Sequence, residues 1–242
     1  YGVRGVAKRA LGNNKGAITD FNSALEIDPQ MFPAYYSRGL AKGALEDYQG
    51  AISDFNKAIE INTQDANTYF ARGIIKDELR DYQGAISDYS KAIDINPHYA
   101  DAYINRGTIK DDTEDYAGAI DDYKKAIDIN PNESDTYYNL GNTMVSLGKS
   151  NEAITFYSKA IELDPSNSLY YYTRGKIRKS LSDLEGALGD LNESLRIDSL
   201  GLYKYLHRGI VKENLLDYDG AIDDYTKVLT IDPNNFYGFY NR

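Results

Sequence analysis

The sequence predicts an all-α solenoid of stacked two-helix units, and three observations predict it. A 34-residue segment recurs seven times without insertion or deletion, marked by alanine at 17, 51, 85, 119, 153, 187 and 221. Within each segment, apolar residues return in two blocks at helical spacing. Prolines close most segments, at Pro29, Pro97, Pro131, Pro165 and Pro233. A period of this length means units that each contact only their neighbours, so the core grows with length.

With Phe32 as position 1, the complete units run 32–65, 66–99, 100–133, 134–167, 168–201 and 202–235. Residues 1–31 supply a unit truncated at its start, and 236–242 begin an eighth. Tyr1 falls at position 4, so the sequence reads as a portion of a longer repeat protein. In the unit at 32–65 the first block holds Tyr35, Gly39 and Leu45, and the second Ala51, Phe55, Ala58, Ile59 and Ile61. The steps from Ala51 to Phe55 to Ala58 are four and three, the mark of an amphipathic helix. Asp47 between the blocks is placed to cap the second helix, as are Asp81, Asp115, Asp183 and Asp217. The closing proline cannot continue a helix; Thr63 and Ser199 are the exceptions. Position 8 is glycine in all seven units, from Gly5 to Gly209, although glycine inside a helix costs about 1 kcal/mol relative to alanine. Close packing against the bulky residue at position 24 (Phe21, Phe55, Tyr89, Tyr123, Tyr157, Leu191, Tyr225) is the compensating reason.

Composition narrows the function. A net charge of −10 repels phosphate backbones, which argues against nucleic-acid or anionic-membrane binding. No run approaches the roughly 20 apolar residues of a membrane span, so no direct membrane insertion is expected. The chain has no cysteine, which removes disulfides and thiolate chemistry and leaves the compartment open. Asp111-Asp112-Thr113-Glu114-Asp115 begins like a calcium loop, but Tyr116 and Asp122 stand where glycine and glutamate are needed. With His98 and His207 far apart in sequence, no metal site, cofactor or catalytic constellation is expected, and the chain reads as non-catalytic.

Tyr103, Gly107, Ala119, Tyr123, Ala126 and Pro131, at positions 4, 8, 20, 24, 27 and 32, resemble the motif of the tetratricopeptide repeat (TPR) family, and the resemblance covers the whole chain. Arg-Gly at positions 7 and 8 with the later Gly-Ala-Ile is similar to repeats of bacterial, especially cyanobacterial, members. The resemblance implies a right-handed superhelical α-solenoid of antiparallel helix pairs that holds other proteins. The departures are tyrosine for the family's usual tryptophan at position 4, and a sixth unit with Leu191, Ser194 and Ser199.

The family usually places leucine at position 7. This chain has Arg4, Arg38, Arg72, Arg106, Arg174 and Arg208, and only the fifth unit keeps Leu140. Position 23 is Asp20, Asp54, Asp88, Asp122, Asp190 and Asp224, again with one exception, Phe156 in the fifth unit. Position 11 is Lys or Arg except for Met144 in that unit. Coinciding exceptions imply ion pairs between positions 7 and 23 of one unit, because pairing between neighbours leaves Asp122 and Arg174 unmatched. A separate ancestry for the fifth unit is the competing explanation.

Positions 2, 5, 9 and 12 share another helix face, since their steps are three, four and three. The resemblance implies that this face lines a concave groove for a peptide or helix of a partner. Its candidate residues are Tyr36, Leu40, Phe70, Ile74, Asp77, Asp101, Ile104, Thr108, Asp111, Asp135, Tyr138, Asn142, Tyr172 and Lys176. An apolar strip rimmed by charge suits such a ligand, although position 5 also suits partial burial. Asp77, Glu78, Asp101, Asp111, Asp112 and Asp135 favour a basic segment of the partner; Lys176, Arg178 and Lys179 favour polar or acidic groups near the sixth unit. The family's clamp for chaperone C-terminal tails needs lysine at position 5, and no unit has one, so such tails are not expected to bind. The expected function is a protein–protein interaction scaffold. The alternatives are a regulatory or targeting module of a larger enzyme, or a self-associating element through apolar faces such as Tyr1, Val3 and Phe239.

Overall fold

Helix-starting and helix-ending signals alternate along the chain, and the computed structural model, which describes residues 1–241, turns each pair into a helical hairpin. Among the described residues there are fifteen helices and no strand. In chain order they are α1 (Gly2–Ala10), α2 (Asn14–Ile27), α3 (Phe32–Gly43), α4 (Tyr48–Ile61), α5 (Ala66–Glu78), α6 (Tyr82–Ile95), α7 (Ala100–Asp112) and α8 (Tyr116–Ile129). Then follow α9 (Ser134–Ser146), α10 (Ser150–Leu163), α11 (Ser168–Ser180), α12 (Leu184–Ile197), α13 (Leu202–Asn214), α14 (Tyr218–Ile231) and α15 (Phe236–Asn241).

The chain divides into two compact units, Tyr1–Ile129 and Asn130–Arg242. In the first, the hairpins α1/α2, α3/α4, α5/α6 and α7/α8 stack through α2 on α3, α4 on α5 and α6 on α7. In the second, α9/α10, α11/α12 and α13/α14 stack through α10 on α11 and α12 on α13, with α14 against α15.

Local chemistry marks the turns of the hairpins and most second-helix starts. Asp47, Asp81, Asp115, Asp183 and Asp217 each accept a hydrogen bond from the amide three residues on, at 3.0–3.1 Å, and Asn13 does the same at 2.9 Å. That satisfies one amide left free at a helix start. The turn inside each hairpin is a left-handed residue at position 15: Gly12, Glu46, Arg80, Glu114, Gly148, Ser182 and Leu216, with φ between 59 and 77°. Around Glu46, the amide of Asp47 reaches the Lys42 carbonyl and that of Glu46 the Gly43 carbonyl, the Schellman ending of a helix. The closing turn rests on position 31. Asp28, Asn62, Asn96, Asn130, Asp164, Asp198 and Asp232 each accept from the amide two residues on, at 3.0–3.3 Å. This side-chain turn forms whether proline, Thr63 or Ser199 follows, which is how the chain tolerates those two exceptions.

Inside the hairpins, the position-8 glycines meet the position-24 rings. A methyl group on Gly39, Gly73, Gly141 or Gly209 would lie 2.6–2.7 Å from Cε1 of Phe55, Tyr89, Tyr157 or Tyr225, closer than carbon atoms approach. The sixth hairpin is looser: at Gly175 the nearest atoms, of Asp190 and Leu191, are 3.2 Å away. Ala51, Ala85, Ala119, Ala153 and Ala187 are fully buried beside them.

Candidate functional site

The charges at positions 7, 11 and 23 form one repeated cluster. Arg4, Arg38, Arg72, Arg106, Arg174 and Arg208 each grip their aspartate with two nitrogens, Nε at 2.8–2.9 Å and Nη2 at 2.5–2.6 Å. The partners are Asp20, Asp54, Asp88, Asp122, Asp190 and Asp224. The position-11 cation (Lys8, Lys42, Lys76, Lys110, Arg178 or Lys212) shares Oδ2 with the arginine Nε, at 2.8–2.9 Å. It also donates to the position-19 carbonyl at 3.1–3.5 Å. The aspartate side chains are only 2–5 % exposed. Hydrogen bonds from Arg4 and Lys8 hold the Asp20 carboxyl well below the usual range.

Two further contacts were not read from sequence. The position-4 ring sits beneath each guanidinium at 5.3–5.9 Å, a cation–π contact that tyrosine supplies in place of the usual tryptophan. Nη1 of Arg38, Arg72, Arg106, Arg174 and Arg208 donates to position 25 of the preceding hairpin: Asn22, Asn56, Ser90, Ser158 or Asn192. The sequence carried a signal for this, since Lys124 occupies position 25 in the unit that precedes Leu140. Arg178 belongs to this cluster, bound to Asp190 at 2.9 Å and Asp183 at 3.5 Å. Its assignment to the ligand face is therefore corrected: a side chain held by two carboxylates is not available there.

The candidate ligand face has a mixed character. In the first unit, Tyr36 packs on Phe55 at 6.1 Å, and Phe70 packs on Tyr89 and Tyr99 at 5.6 and 4.7 Å. Leu40, Ile104 and Thr108 are half-buried, Ile74 is 36 % exposed and Asp101 is exposed. Thr108 accepts from the Tyr123 hydroxyl at 3.3 Å, and burial pushes that phenol up to about 12. Asp77 and Asp111 are half-buried. Burial, then the charges of Glu78 and Asp112, raises the Asp77 carboxyl. Beside it, Asp77, Glu78, Arg80 and Tyr82 line a cavity of about 210 Å³.

In the second unit, Tyr138 packs on Tyr157 and Tyr170 at 5.6 and 5.2 Å. Asn142 accepts from Tyr157 at 2.8 Å, and Asp135 from Tyr170 at 2.5 Å. Tyr172 packs on His207 at 5.7 Å, and the exposed Lys176 lies over the Tyr172 ring at 5.3 Å. The position-5 rings therefore serve packing within and between hairpins and are half-buried. The open part of the face is mostly charged: exposed or half-buried acids beside Ile74 in the first unit, and the exposed Asp135 with Lys176 and Lys179 in the second.

Hairpins that repeat in phase, with a glycine facing the large position-24 side chain and, in five of the seven among the described residues, an aspartate at the second-helix start, define a helical-repeat protein. The chain belongs to the tetratricopeptide repeat family: models described as TPR repeat match residues 5–46, 78–110 and 112–148, and models described as tetratricopeptide repeat match 134–167, 32–65 and 205–235. Among solved structures, the C-terminal part of a TPR repeat-containing protein from Cytophaga hutchinsonii has a TM-score of 0.82 at 19 % identity, covering 100 % of this chain and 99 % of that one. MamA has a TM-score of 0.64 at 28 % identity, covering 66 % of this chain and 94 % of MamA. YrrB, a TPR protein with an unusual peptide-binding site, has a TM-score of 0.66 at 23 % identity, covering 77 % and 96 %. No curated protein matches the chain.

Proposed function

We propose that this chain is a non-catalytic scaffold that holds a segment of another polypeptide on the face bearing positions 2, 5, 9 and 12. One observation carries the reading. Every aspartate of the packing-face clusters is held by two cations, whereas the side chain of Asp77, half-buried on the other face, has neither an ion-pair nor a hydrogen-bond partner among the described residues. The charges that raise its carboxyl are those of Glu78 and Asp112, and Arg80, which lines the same cavity, makes no ion pair with it, so the carboxylate lacks a bound cation. A lysine- or arginine-bearing segment supplies one. Chaperone C-terminal tails do not fit, because position 5 offers no lysine.

Fluorescence anisotropy of an acetylated, amidated oligolysine peptide tests this. Binding that weakens with salt, and weakens further in Asp77→Lys and Asp101→Lys, supports the reading. Salt-insensitive binding with both variants unchanged overturns it. Self-association is a second reading, favoured by Val3 and Tyr240, which are 88 % and 78 % exposed. Light scattering across concentrations checks it, with constant mass counting against it.

A further inference from the structure

The clearest charged surface that the ion clusters leave unused lies on α11 and α13. Lys176 is exposed and Lys179 half-buried, and neither has a carboxylate partner among the described residues. Between them on the chain, Arg178 is committed to Asp190 and Asp183. The ring of His207 lies 5.7 Å from that of Tyr172, and its Nδ1 is buried without a hydrogen-bond partner. Burial, then the charges of Lys179 and Lys176, pushes the imidazole down to about 4, so it is neutral at pH 7. Two ammonium groups thus bear on one neutral imidazole, and neither forms an ion pair among the described residues, in a chain whose net charge is −10.

We propose that Lys176 and Lys179, over a floor made by His207 and Tyr172, form a carboxylate-binding site for an acidic stretch of a partner polypeptide. This deepens the scaffold reading and rests on it. Lysine ammoniums serve as point charges, whereas tight phosphoryl recognition favours the bidentate guanidinium fork. Both nearby arginines, Arg174 and Arg178, are spent on Asp190, so no fork is free. Tyr203, 65 % exposed on α13, adds an aromatic surface on which the stems of glutamate side chains can lie.

The test is an NMR titration of the full chain with an acetylated, amidated oligoglutamate peptide, its glutamine counterpart and inorganic phosphate. The glutamate peptide should shift the His207 imidazole and the Lys176 and Lys179 signals saturably, and the glutamine peptide should not. Lys176→Glu, at an exposed position, should weaken binding about tenfold, and the milder Lys179→Gln by a smaller factor. Absence of a saturable shift, equal affinity in both variants, or phosphate binding more tightly than the glutamate peptide would overturn the site. An oligolysine arm separates the two readings. If oligolysine still binds the Asp77 face while oligoglutamate fails, only this site falls; if both fail, the scaffold reading falls with it.

Discussion

The hairpins at 134–167 and 202–235 lie in the same compact unit and solve the same packing problem with opposite chemistry. In the second, Arg208, Lys212 and Asp224 form a buried ionic cluster, with Arg208 reaching Asn192 of the hairpin before it. In the first, Leu140, Met144 and Phe156 take those places; Leu140 and Met144 are 1 % and 4 % exposed and Phe156 is half-buried. Both keep the glycine under the ring, at Gly141 with Tyr157 and Gly209 with Tyr225. The helix pair therefore forms from the small-on-large contact, and the ionic cluster is an interchangeable layer on it. What the cluster adds is direction. From Arg38 onward, each guanidinium of the cluster ties its own helix to the second helix of its hairpin and to the hairpin before it.

The largest effect comes from breaking the cluster piecemeal. Arg106→Leu removes two hydrogen bonds to Asp122 and leaves Lys110 as its remaining ion-pair partner, and should cost about 2–3 kcal/mol in urea unfolding. The triple variant Arg106→Leu, Lys110→Met, Asp122→Phe copies the apolar hairpin and should cost far less. Equal losses in the single and the triple would show that the layer is not interchangeable.

The next effect concerns the contact common to both hairpins. Gly73→Ala forces a methyl against the ring of Tyr89, which is fully buried and has nowhere to move, and should cost about 1–3 kcal/mol. Gly175→Ala meets the looser Leu191 and should be neutral or stabilising, because alanine gains about 1 kcal/mol of helix propensity. Thermal unfolding of the two variants side by side decides it.

Much of this was legible in the sequence because it repeats. The period set the helix pairs, and the coinciding exceptions at Leu140, Met144 and Phe156 pointed to ion pairs that the structure places within 2.5–2.9 Å. Other features stayed hidden for physical reasons. The asparagine or aspartate at position 31 was masked by the more conspicuous proline beside it. Only Gly12 and Gly148 hinted at the left-handed turn, because the other five hairpins bear its strain on ordinary residues. Spacing alone does not reveal how far Tyr36, Phe70 and Tyr138 sink between helices, since one helix face can meet both solvent and a neighbouring ring. His207 went unread as part of a surface because its setting comes from a different helix, α11.

A smaller contrast lies at position 6, where the apolar hairpin has Asn139 and the ionic one has His207. The folded His207 titrates near 4 instead of near 6.5, so the fold holds the neutral ring and the unfolded chain takes up the proton first. Its contribution is complete above about pH 6.5 and declines as pH falls toward 4. The native chain should lose more stability between pH 7 and 5 than His207→Gln does. Parallel pH curves would show that the imidazole is as well solvated in the fold as out of it.

The smallest effect lies in the turns. The apolar hairpin turns on Gly148 at φ 72°, with open space where a side chain would stand, and the ionic one turns on Leu216 at φ 64°. Leu216 is 70 % exposed, so its side chain contributes little packing there. A left-handed residue with a Cβ is strained by about 1–2 kcal/mol, part of which glycine returns as greater freedom in the unfolded chain. Leu216→Gly should therefore stabilise by about 0.5–1 kcal/mol, and Gly148→Leu should destabilise by a comparable amount. Urea midpoints moving in opposite directions would place the strain in the backbone of the turn. A loss of stability in Leu216→Gly would instead show that the leucine side chain packs where its exposure says it does not.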